Sequence, residues 1–194
     1  WRNTVDASGS ATVISGLLAS NTVTYDDTTA TPGQQYYYWV RGTNSTSTSQ
    51  SDFSASNSGY RKLTPPTIGA ASAIASTSFS ANWSASTGAT TYQLDVATDS
   101  GFTAFVSGFN NLDVGNVTTK SVTALTPNTV HYYRVRATAA TGSSDNSAST
   151  NVTTLPGTWT WDGGGANSNW STVANWDHPG APNSHAQNTL AFAG

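Results

Sequence analysis

Two stretches of the chain alternate large and small side chains behind the same turn signal. Thr31-Pro-Gly-Gln-Gln-Tyr-Tyr-Tyr-Trp-Val-Arg-Gly42 is the first, and Thr126-Pro-Asn-Thr-Val-His-Tyr-Tyr-Arg-Val-Arg-Ala137 is the second. Alternation with period two predicts a half-buried strand, because successive side chains leave a strand on opposite faces. With the prolines aligned, Tyr36, Tyr38 and Val40 correspond to His131, Tyr133 and Val135 on the core face. Tyr37, Trp39 and Arg41 correspond to Tyr132, Arg134 and Arg136 on the outer face. The second copy sits at the centre of seven short predicted strands between residues 64 and 155. Ile68 to Ile74 opens the set. Ser78 to Ser84 follows with Phe79, Ala81 and Trp83 inward, then Thr91 to Val96 with Tyr92, Leu94 and Val96 inward. Phe105-Val106, Val117 to Val122, the strand around Tyr133 and Ser147 to Thr154 complete it. Short strands separated by frequent turns predict a β-sandwich.

The first copy yields fewer strands: Trp1 to Val5, Ala11 to Ile14, Asn21 to Tyr25, the corner strand and Phe53 to Leu63. The two strands that open the second copy, with a core Trp, have no counterpart here. The tail is distinct. Gly157-Thr-Trp-Thr-Trp-Asp162 alternates Thr with Trp, and Asn188-Thr-Leu-Ala-Phe192 alternates again. Four of the seven Trp fall within residues 157–194, too short a segment to bury them by itself.

Residues 64–155 resemble a fibronectin type III domain. The marks are Trp83 on the second strand, Tyr92 on the third, and the corner Leu125-x-Pro127-x-Thr129. His131 stands where that family carries its corner Tyr. The segment Asp99 to Val117 resembles the corresponding part of fibronectin-like repeats in large bacterial surface or secreted proteins. The tail signature Trp161-Asp-Gly-Gly-Gly-Ala-Asn-Ser-Asn-Trp170…Asn175-Trp176 resembles the start of autotransporter-associated β-strand repeat modules. The expected architecture is all-β, with tandem fibronectin type III (immunoglobulin-like) β-sandwiches. Residues 1–63 form a first domain lacking its first two strands, 64–155 a complete second, and 156–194 a Trp/Gly-rich β tail.

Composition narrows the function. Charged residues make up 9% of the 194, against roughly 25% in ordinary soluble proteins, and the net charge is −3. That leaves no basic footprint for nucleic acid. There is no Cys, hence no disulfide, thiol nucleophile or thiolate metal site. The absence of Glu and Met and the scarcity of Lys remove strong helix formers. No apolar run is long enough to span a membrane. Ser and Thr total 59, which with the missing thiols suggests an extracellular, cell-surface protein. The absent initiator Met implies that Trp1 is an internal point of a longer polypeptide.

No catalytic constellation emerges. All ten acids are Asp, nearly all in predicted turns, where they serve the backbone. The pair Asp26-Asp27 would point to opposite faces of a strand. Asp177, His178 and His185 carry ligand chemistry without ligand spacing. Asp162 with its following glycines, and Asp99 with Asp113, are loose oxygen clusters for a hard cation, more simply explained as turns. No cofactor is expected. Five Asn-x-Ser/Thr sequons, at Asn44, Asn82, Asn116, Asn151 and Asn169, are candidate glycosylation sites, though their number is about what this composition gives by chance. The outer aromatic and Arg rows suit glycan stacking, though cross-strand packing explains them as well.

The incomplete first domain leaves an open edge and core, which invite strand addition. The tail offers apolar strands. Trp159, Trp161, Leu190 and Phe192, with Trp1, are therefore the candidate assembly contacts. A tail strand lodged in the next copy's first domain would propagate a head-to-tail homopolymer. The expectation is a non-enzymatic subunit of an extracellular bacterial fibre. The alternative is a piece of a giant adhesin or secreted carbohydrate-active enzyme whose modules are spacers or glycan-contact surfaces.

Overall fold

The computed structural model describes residues 1–44, 46, 48–161 and 189–192. Among these the chain is all-β apart from a single 3₁₀ turn at Ser8–Ser10. The second sandwich is built as its alternation dictates. One sheet pairs β4 (Phe79–Asn82) with β7 (Thr119–Val122). The facing sheet centres on β5 (Thr91–Ala97) and β8 (Val130–Ala139). To it are added β6 (Leu112–Asp113), β9 (Gly142–Ser143) and β10 (Thr150–Thr153), all antiparallel. Phe79, Ala81 and Trp83 meet Tyr92, Leu94, Val96, Tyr133 and Val135 in one buried cluster. The Trp83 and Tyr92 rings lie 6.0 Å apart, a separation typical of favourable aromatic pairs.

The predicted opening strand, Ile68 to Ile74, forms only the isolated bridges Ile68 to Trp83 and Ser72 to Ser80. Tyr133 nonetheless ties it down, donating its hydroxyl to the Gly69 carbonyl at 2.6 Å.

The first unit has one sheet, formed by β1 (Arg2–Asn3), β2 (Gln35–Tyr38) and β3 (Asn57–Tyr60). Among the described residues, Asn21 to Tyr25, expected as a strand, has no ladder partner, and Ala11 to Ile14 contributes only the bridge from Thr12 to Arg2. The reason is visible in the second copy. There the equivalent strand, β7, pairs with β4, and among the described residues the first copy has no counterpart of β4. The alternation also breaks after Tyr38. Trp39, expected on the outer face with Tyr37 and Arg41, is buried, and its N–H bonds the Trp1 carbonyl at 3.1 Å.

The tail strands β11 (Thr158–Trp161) and β12 (Thr189–Phe192) pair with each other in parallel, Trp159 opposite Leu190 and Trp161 opposite Phe192.

Candidate functional site: the open face of the first sandwich

The repeat provides an internal comparison for every core position. Val135 on β8 is fully buried, while its counterpart Val40 is 67% exposed. Val13, Leu17 and Val23 are exposed as well. Beside Val40 lies a cleft of about 250 Å³ lined by Trp1, Ile14, Leu18, Tyr38 and Trp39 among others. A second, of about 510 Å³, runs along Val13, Leu17 and Arg41.

The interior of this unit is also more polar than its twin. Arg2 faces Tyr38 across β1 and β2, as Val96 faces Tyr133 across β5 and β8. Asp27 holds the place that the proline alignment gives to Val122. Where the second copy buries two valines, the first has an ion pair, Arg2 Nη1 to Asp27 Oδ2 at 2.7 Å. The Tyr38 hydroxyl donates to the same oxygen at 3.2 Å, and Thr29 donates to the other. Burial pushes the Asp27 carboxyl up, but the bonds from Thr29 and Arg2 outweigh it and hold the pKa below the ordinary carboxylate value. The Arg2 guanidinium also sits 4.4 Å from the Tyr36 ring.

Of the candidate assembly contacts, Trp1 is engaged within its own unit. It meets Phe53 edge to face at 5.2 Å, and Arg41 lies 4.5 Å from one ring and 4.8 Å from the other. Trp159 stands in register with Leu190, and Trp161 with Phe192, in the parallel β11–β12 pair.

The outer row of the second sandwich is occupied by its own neighbours. Arg134 donates to the buried Asp95 at 2.9 Å and stacks 4.1 Å from the Phe102 ring, and Arg136 donates to Gln93 at 2.7 Å. Only the alternation that puts Asp95 and Arg134 on one face signals this Asp95–Arg134–Phe102 cluster in the sequence. Asp99 accepts N–H groups from Ala104, Thr103 and Gly101, which hold its pKa down. Asp113 is bonded by the Thr91 hydroxyl and the Gly115 N–H. Each carboxylate thus organises its own turn, and among the described residues no three potential ligands gather as a metal site. Asn116 and Asn151 are exposed, the Asn44 side chain braces its own turn with Thr48, and the Asn82 amide bonds Ala70 and Ser72. Asn169, Asp162, Asp177, His178 and His185 lie outside the described residues.

His131, at the corner, is buried, with Nδ1 3.1 Å from the Thr129 carbonyl oxygen. The corner is closed instead by Thr154, whose hydroxyl donates to the Thr126 carbonyl at 2.7 Å.

Among solved structures, two consecutive fibronectin type III domains of chicken tenascin superpose with a TM-score of 0.51 at 17% identity, over 63% of this chain and 66% of that one. The FN1–FN3 domains of chicken CNTN1 match at 0.41 and 21%, over 68% of this chain and 46% of that one. A human fibronectin type III domain matches at 0.42 and 22%, over 50% and 91%. The chain thus spans about half the length of the CNTN1 segment. No family model and no curated protein matches. The fold is that of fibronectin type III sandwiches in tandem. Among the described residues no helix is long and apolar enough to cross a membrane.

Proposed function

We propose that the chain is a non-enzymatic structural segment of an extracellular, bacterial surface fibre, and that β-strands added across the open face complete its first sandwich. The observation that carries this is Val40, 67% exposed at a position fully buried in the neighbouring copy. Apolar surface arranged as half a sandwich core, beside a segment, residues 21–25, that joins no sheet among the described residues, suits a strand better than a small molecule. Among the described acids, Asp27, Asp95, Asp99, Asp113 and Asp145 already serve turns or ion pairs.

In the fibre reading the donor is a strand of the next copy's tail, β11 or β12. Donor and acceptor then lie on different surfaces, and the contact propagates. A second reading is favoured by the parallel pairing of β11 with β12, because the slots occupied by β4 and its leading segment are antiparallel. There the completing strands belong to the same long polypeptide, an adhesin or a carbohydrate-active enzyme in which these modules are spacers or glycan-contact surfaces.

Sedimentation velocity of the 194-residue chain across a wide concentration range separates the two. The fibre reading expects a growing series of oligomers, suppressed by Val40→Asp. A monomer at every concentration overturns it and leaves the second reading.

A further inference from the structure

We propose that the two sandwiches form one rigid body, locked where the corner turn of the first (Thr31–Gln34) seats a glycine against a glycine of the second. This rests on a part of the molecule remote from the open face and does not depend on how that face is filled.

The repeat shows that Gly33 is not there for the turn alone. Gly33 has φ +74°, and its counterpart Asn128 makes the same left-handed turn with φ +49°. Each donates its N–H to the chain leaving its own sandwich, Gly33 to Arg61 at 2.8 Å and Asn128 to Leu155 at 3.1 Å. An Asn therefore satisfies the turn. What Gly33 adds is the missing Cβ. A Cβ there would stand 2.9 Å from the Gly88 carbonyl oxygen, 2.9 Å from Leu63 Cδ2 and 3.0 Å from Ala139 Cβ. From the other side, a Cβ on Gly88, whose φ is +84°, would overlap the Pro32 carbonyl oxygen. Both contacts are with backbone or with a packed side chain, so neither can yield cheaply.

Directed bonds fix the same arrangement. The Thr141 hydroxyl donates to the Gly33 carbonyl at 3.0 Å, and the Ser86 hydroxyl donates to the Thr64 carbonyl at 2.6 Å. Leu63, at the end of the first unit, is buried in the core cluster of the second. Pro65 and Pro66 follow, and proline has little backbone freedom to lose. Lys62 and Asp145 also pair, at 2.7 Å, but both are exposed and such a pair adds little. A hinge would need a free linker. This one is bonded on both sides and capped by two loops that touch only because both are glycines.

The chain has no Cys, so two introduced cysteines, Ser20→Cys and Asn116→Cys, accept spin labels uniquely, one on each sandwich. Electron–electron distance measurement on the full chain is expected to give one narrow distribution. Gly33→Asn, which supplies the residue the second copy uses at this turn, is expected to broaden or displace it. Gly108→Ala is the control, since Gly108 has φ +82° but open space around its Cβ; it carries the same backbone strain and should leave the distance unchanged. Near-ultraviolet circular dichroism of each variant verifies that the second sandwich remains folded. A broad distribution in the parent chain, or a Gly33→Asn distribution indistinguishable from it, overturns the proposal. Should Gly33→Asn unfold the chain, Thr141→Val decides on the same criterion, because it removes only the bond to the Gly33 carbonyl.

Discussion

At the residue scale, the corner of the second sandwich shows how one position can change its chemistry while the fold persists. The corner residue, His131, is buried, and Thr154 bridges the turn with its hydroxyl. Burial lowers the His131 pKa, with the Thr129 carbonyl pulling weakly the other way. The consequence for stability has a definite sign. An unfolded histidine takes up a proton near pH 6.5, whereas the folded ring resists until the pH is lower. Stability contributed by this site is therefore complete above about pH 6.5 and lost as the pH falls from there to the folded pKa. Urea unfolding of the parent chain should show midpoints that decline through that acid window. His131→Phe should remove that part of the decline, and an identical pH profile in the two proteins would show that His131 does not titrate against folding.

At the scale of elements, the same alternating strand has different fates in its two settings. The tyrosine-rich run was legible as a strand in both copies, because period-two alternation needs only local geometry. Whether its inward side chains are covered was not legible from the run itself, since cover comes from β4 and β7, residues far away in sequence. The same cause explains why Asn21 to Tyr25 reads as a strand yet pairs with nothing described: a strand is defined by its partner. Trp39 was missed for a related reason, as the ladder ends at Tyr38 and alternation no longer dictates the side it faces. A matched pair of substitutions measures the difference. Val135→Asp should cost ~4 kcal/mol or more, because it buries an unpaired charge. Val40→Asp in the monomeric chain should change stability by within about 0.5 kcal/mol, as at other exposed sites. Equal costs in urea titrations would mean that the first face is covered.

At the scale of the whole molecule, apolar burial is unequal. The described buried hydrophobic residues ahead of Leu63 are Ala30, Tyr36 and Trp39, against a continuous cluster from Leu63 to Val152 in the second sandwich. Burial of apolar surface is the main source of stability and sets the sensitivity to denaturant. Native-state hydrogen exchange in increasing urea should therefore expose the amides of β2 well before those of β5 and β8. Exchange of all three at one common denaturant concentration would show that the joint through Gly33 and Gly88 couples the sandwiches into a single cooperative unit. Mixed behaviour, with the joint protected alongside the second sandwich, is the expected pattern, since Leu63 belongs to that core.

The sequence by itself determined the fold class and the repeat. Those follow from periodicity, turn residues and composition, which act over a few residues at a time. It also determined what is absent from the chemistry, because a chain without Cys or Glu and with few charges has few reactive groups to assemble. Tertiary structure alone decided which inward side chains find cover, which carboxylates are already satisfied, and how the two sandwiches meet. Each of these depends on residues distant in the chain: Val40, left exposed among the described residues, Arg2 with Asp27 at positions where the second copy has valines, and Gly33 against Gly88. Such contacts depend on where the backbone carries each side chain, and no local pattern records that.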